Sequence, residues 1–86
     1  MEDLTLLKTY LRIDGSEDDD VLTLLVGAAE EYLANAGVKP PESGDSKLYD
    51  LAVCLRVHRE RARDEKEVER VERSLTSIIL QLKTGI

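Results

Sequence analysis

Residues 11–33, LRIDGSEDDDVLTLLVGAAEEYL, decide how this chain folds. From there on, Leu22, Leu25, Val26, Ala29, Leu33 and Ala36 recur at the intervals of one helix face, and Val21, Leu24, Ala28 and Tyr32 widen the stripe. The spacing predicts a helix of about 20 residues, roughly 30 Å long. Gly27, Ala28 and Ala29 make its middle slim enough for another helix to approach. Ahead of the stripe, Gly15 permits a turn and Asp14 favours it. Ser16 stands where a helix cap is needed, with Asp19 three residues on to complete a capping box. Glu17, Asp18, Asp19 and Asp20 crowd the first turn, where backbone N–H groups are unpaired and the helix dipole is positive. Gly37 is expected to end the helix in a left-handed conformation.

The acidic run also invites a divalent-metal reading. A calcium loop needs alternating ligands closed by a distant Glu, and these acids are consecutive. Consecutive helical residues point about 100° apart and do not converge on one ion. The run reads instead as a helix start with a solvated acidic end.

On the N-terminal side, Leu4, Leu7 and Leu11, with Leu6 and Tyr10 beside them, form a helix of about two turns that Asp3 can cap. So short a helix holds only by packing. On the C-terminal side, residues 37–45 form a loop, because Pro40-Pro41 and Gly44 exclude helix and strand. Asp45 or Ser46 caps a third helix. Its inner side carries Leu48, Leu51, Ala52, Leu55 and Ala62, flanked by Tyr49, Val53, Cys54 and Val57. Lys66 to Lys83 reads as a fourth helical segment with a seam of Val68, Val71, Leu75, Ile78 and Leu82, broadened by Ile79 and Leu80. No Gly or Pro separates it from the third, so the two either run on as one helix or bend at the charged run Arg59–Glu67. The fold class is therefore all-α: one domain, residues 1–86, with three main helices and a short N-terminal one.

Eighty-six residues bury only about 60% of their unfolded surface, so the core is marginal and a partner subunit would relieve it. With three Tyr and no Trp or Phe, that core is Leu, Ile, Val and Ala. The apolar runs are too short for a membrane span, and no signal peptide is expected. The net charge of −6 is unevenly spread. Residues 1–45 carry eleven acids and three bases, a balance of −8; residues 46–86 carry seven acids and nine bases, a balance of +2. Such halves either neutralise each other in one fold or meet across a subunit boundary. Bulk nucleic-acid binding is disfavoured, because phosphate neutralisation supplies most of that affinity. The run Arg56, Arg59, Arg61, Arg63 and Lys66, diluted by Glu60, Asp64 and Glu65, reads as a solvated helix end or as a contact patch for an acidic protein surface or for phosphate, with protein contact favoured over phosphate.

Cys54 and His58 lie four apart on one helix face. Two ligands are too few for a metal site, and no third group shares the pattern. They read as a core cysteine one turn from a partly exposed histidine. No pair of groups is spaced for acid–base or nucleophilic work, and no catalytic, cofactor or metal residue is assigned.

With the four segments placed, the chain resembles the small head–tail connector (adaptor) proteins of tailed bacteriophages and prophages. The residues that carry the resemblance are LKTYLRIDGSEDDDVLTLLVGAAEEYL (7–33) and, more loosely, SLTSIILQLKTG (74–85). The chain departs from the family at His58-Arg59-Glu60-Arg61, where relatives carry aromatics. The resemblance implies an all-helical virion subunit assembling into a ring of about a dozen copies beneath the portal protein. Such a ring joins head to tail, contacts the next head-completion or tail protein and lines the DNA channel without specific DNA binding. It implies no enzymatic activity and no cofactor. It also implies a place at the head–tail junction of the virion, and in the host cytoplasm during assembly or expression from a prophage.

The residues fit this picture. A closed ring needs different patches on its two sides, which the acidic and basic halves offer. Excess acid along a channel repels phosphate instead of gripping it. The expected subunit contact places Arg56, Arg59, Arg61 and Arg63 on one side. Glu17, Asp18, Asp19 and Asp20 lie on the other, or toward the lumen. The competing reading is a small helical dimer, regulatory in role, zipped along Val68–Leu82.

Overall fold

The structure is a computed structural model and describes residues 4–42 and 46–84. Four helices follow one another: α1 (Leu4–Leu11), α2 (Asp19–Asn35), α3 (Lys47–Arg61) and α4 (Glu65–Thr84). No strand occurs among the described residues. The bundle is a slab of 37 × 32 × 19 Å. The all-helical class and the four segments are as the periodicity predicts; Asp3 and Asp45, two of the expected caps, lie outside the described residues.

α3 is the centre. Tyr49, Ala52, Val53, Cys54, Leu55 and Val57 are all buried, so almost every side of its middle is covered. Its most extensive packing is against α4, then α2, and α1 touches both α2 and α3. The sequence reading assigned a one-sided face to α3 and put Leu51 on it; Leu51 is 40% exposed. A helix packed from several sides has no single apolar stripe, which is why a face-based reading misplaced that residue.

α2 is one-sided. Leu22, Val26, Ala29 and Leu33 are buried, as the stripe predicts. The widening residues are not inside: Val21 is 52%, Leu24 72% and Tyr32 43% exposed, and Ala28 is exposed. They lie well round the helix from the buried set, at 100° per residue. Gly27 meets open space and Ala28 is exposed, so of the slim positions only Ala29 packs into the core. α2 is 17 residues rather than 20. Its cap is Asp18, whose side chain makes no capping hydrogen bond, and the box of Ser16 with Asp19 does not form. The reason is the turn before it: Asp19 N–H donates to the Ser16 carbonyl at 3.2 Å, so residues 16–19 are used as a turn and the helix starts later.

Both α1 and α2 end in the same paired hydrogen-bond motif. After α2, Gly37 N–H donates to Ala34 O (3.0 Å) and Val38 N–H to Leu33 O (2.8 Å), with Gly37 at φ +93° as expected. Val38 is buried and closes the motif on the core. After α1, Arg12 N–H donates to Thr9 O (3.3 Å) and Ile13 N–H to Lys8 O (2.9 Å). Here the left-handed residue is Arg12, at φ +60°, whereas the sequence reading drew the turn from Gly15 and Asp14.

α3 and α4 are separate helices. Ala62 leaves the helix at ψ 141°. Asp64 then caps α4, its Oδ1 accepting from Glu67 N–H at 2.8 Å. The break needs neither Gly nor Pro. The seam of α4 turns inward: Val71 and Leu75 are buried in the core, and Ile78, Ile79 and Leu82 pack partly against it, while Leu80 stays 63% exposed. Ser46 caps α3, accepting from Tyr49 N–H at 3.2 Å.

Candidate subunit-contact surface

The basic residues of interest sit along the second half of α3 and the turn after it. Arg56 lies with its guanidinium 4.4 Å from the centroid of the Tyr32 ring and donates to Glu60 Oε1 at 2.6 Å. That ion pair is an i,i+4 pair of the kind the sequence pattern offers. Arg59 reaches α4, donating from Nε to Glu72 Oε1 at 2.5 Å; this hydrogen bond and the Glu72 charge hold its proton more tightly than usual. Arg61 and Arg63 are exposed and have no ion-pair partner among the described residues. The four arginines thus divide: two tie α3 to α2 and α4, and two point charge outward.

The acids gather at the other landmark, the start of α2. Glu17, Asp18 and Asp20 are exposed. Asp19 is half-buried and pairs with Lys8 of α1, whose ammonium also donates to Gly15 O at 2.7 Å. One lysine therefore pins the turn between α1 and α2. The structure does not bring the acid set and the arginine set together within the chain; each has its own neighbours.

A residue whose role sequence reasoning missed is His58. It is half-buried one turn from buried Cys54, as expected. Its ring nitrogens, however, are both used. Tyr10 Oη lies 2.9 Å from Nδ1 and Glu67 Oε2 3.0 Å from Nε2. The arrangement that satisfies both has Nε2–H donating to the carboxylate and Nδ1 accepting from the phenol. His58 so links α1, α3 and α4. The only signal was a single histidine one turn after a core cysteine; its partners are 48 and 9 residues away and leave no local pattern. Burial and the nearby Asp50 push the Cys54 thiol up to about 11.

Among the described residues no group of three or more His, Cys, Asp or Glu could hold a metal ion, and no helix is long and apolar enough to cross a membrane. The described surface carries several hollows, two of which bear on contact. One, of about 430 Å³, lies at the α3–α4 turn and includes Arg63, Asp64 and Val68. The other, of about 490 Å³, is an apolar groove between α1 and α3, lined by Leu6, Tyr10, Lys47, Asp50, Leu51 and Cys54.

What this surface offers is contact: unpaired charges and apolar patches displayed by a small helical scaffold, the make-up of an assembly subunit. Residues 1–84 match the family of phage gp6-like head-tail connector proteins, and the chain belongs to that family. It is a structural family of phage, not known for enzymatic activity. Comparisons with curated proteins and with solved structures returned no match.

Proposed function

We propose that this chain is a ring-forming subunit at the head–tail junction of a tailed phage or prophage particle. About a dozen copies stand beneath the portal protein, meet the next head-completion or tail protein, and surround the channel through which DNA passes. The observation that carries this reading is the family match, which spans residues 1–84 of 86. The charge distribution supports it. Exposed Arg61 and Arg63, backed by Arg56 and Arg59, face the acids Glu17, Asp18, Asp19 and Asp20 of the next copy. A net charge of −6 keeps the channel wall from holding phosphate. The alternative zipper dimer loses support, because Val71 and Leu75 of the seam already fill the chain's own core.

Electron microscopy of the purified protein, alone and mixed with its portal, tests the proposal. Closed rings with an open centre are expected. Particles no larger than a dimer under both conditions would overturn it, as would retention of duplex DNA at physiological salt.

A further inference from the structure

Two apolar surfaces of this chain face solvent, and they differ in shape. One is the groove between α1 and α3, where Leu6 is 51% and Leu51 40% exposed. The other is a ridge on the outer side of α2, formed by Val21, Leu24 and Ala28 at steps of three and four. A single exposed leucine needs no account, but a contiguous ridge and a lined groove in one small domain do.

Their charges are opposite. α2 holds Asp19, Asp20, Glu30 and Glu31 and no base. Exposed Asp20 precedes the ridge and exposed Glu31 follows it. On α3 the groove is lined by Lys47, Asp50, Leu51 and Cys54, and the row Lys47, Leu51, Cys54 continues beyond the groove to His58 and Arg61 at helical steps of four and three. Lys47 and Arg61 are exposed and without ion-pair partners among the described residues; Asp50 is the one acid lining the groove. The basic row is the longer by about one helical turn. Asp20 to Glu31 spans about 16 Å of helix and Lys47 to Arg61 about 21 Å, at 1.5 Å per residue. The exposed acids at the two ends of the ridge thus fall within the span between exposed Lys47, at the groove, and exposed Arg61, beyond it.

We infer that the Val21–Leu24–Ala28 ridge of one copy seats in the Leu6–Tyr10–Leu51 groove of the next. The contact is head-to-tail, because the two patches are different, and so it propagates from copy to copy. His58 holds the groove in shape through its bonds to Tyr10 and Glu67. The inference rests on the self-assembly proposed above and adds which surfaces make it.

The test uses Leu24→Glu and Leu51→Glu. Both side chains are exposed, so each variant should melt within a few degrees of the parent; Val21→Glu and Leu6→Glu stand in if either does not. In sedimentation, each variant alone should need at least about thirtyfold more protein to assemble. Mixed one to one, they should form a two-copy complex and nothing larger, since only one intact ridge and one intact groove remain between them. If Leu51→Glu assembles like the parent, or the mixture stays monomeric, the surfaces are wrong while ring formation stands. A parent chain that stays monomeric at every concentration, both alone and mixed with its portal, overturns both.

Discussion

Gly37 and Arg12 hold equivalent positions at the ends of α2 and α1, both left-handed, at φ +93° and +60°. A side chain in that region costs about 1–2 kcal/mol, which glycine avoids. Gly37→Ala should therefore destabilise the domain by about 1–2 kcal/mol. Its new Cβ would lie 3.2 Å from Lys83 Cε, but that is the end of a flexible chain and yields, so the backbone term decides. Arg12→Gly should do the reverse, gaining about 0.5–1 kcal/mol. Each kcal/mol moves the melting temperature by roughly 4–8 °C in a domain of this size, so thermal melts resolve both signs. Cys54 gives a second check. Its thiol binds its proton more tightly folded than unfolded, with a folded value of about 11 against an ordinary 9. Stability should be level below about pH 9 and fall as the pH rises toward 11. Burial raises the Tyr10 and Tyr49 phenols too, which adds to the alkaline loss. Denaturant titrations from pH 7 to 11 measure this, and a Cys54→Ala variant should show a shallower decline.

Among the elements, the caps set a clear contrast. Ser46 and Asp64 each accept a backbone N–H three residues on, and Ser46→Ala or Asp64→Ala should cost about 1 kcal/mol. Ser16→Ala should change little, since α2 begins beyond it and takes no side-chain cap. Chemical denaturation of the three variants separates these outcomes. The same contrast shows what the sequence made legible. Where one face of a helix meets the core, periodicity finds it: Leu22, Val26, Ala29 and Leu33 in α2, Val71 and Leu75 in α4. Where a helix is enclosed, as α3 is, no stripe exists to read, and Leu51 was misplaced for that reason. Helix ends were half legible. Gly37 announces its conformation by its residue type, whereas Arg12 adopts the same conformation because the hydrogen bonds from Arg12 and Ile13 back to Thr9 and Lys8 demand it. The α3–α4 break was legible only as a charged run, because Asp64 caps without a breaker residue nearby.

For the whole molecule, the charge halves of the sequence become two separated ends whose members have unequal freedom. Arg59 is bound to Glu72, so reversing it would loosen α3 from α4 as well as alter any contact between copies. Arg61→Glu with Arg63→Glu is the cleaner probe. It should weaken assembly without lowering the melting temperature of the monomer. Raising salt from about 0.1 M to 1 M should mimic it, as the screening length shrinks from about 10 Å to 3 Å. Restoring assembly by also changing Glu17 and Asp20 to Lys would tie the two ends together; light scattering follows all three. Composition made this separation of charge visible, but not which arginines are engaged, since that depends on Tyr32, Glu60 and Glu72 lying alongside.

The slab has one short dimension, 19 Å against 37 and 32. Thin bodies set edge to edge close a circle like staves, and the number of staves follows from the bevel between their two edges. A bevel near 30° closes about twelve, and one near 28° about thirteen. Two degrees are within reach of a single repacked side chain at a boundary between copies. In the proposed ring the number of copies is thus a matter of edge angle, and point changes along the edges of this slab are the place to look for assemblies of altered girth.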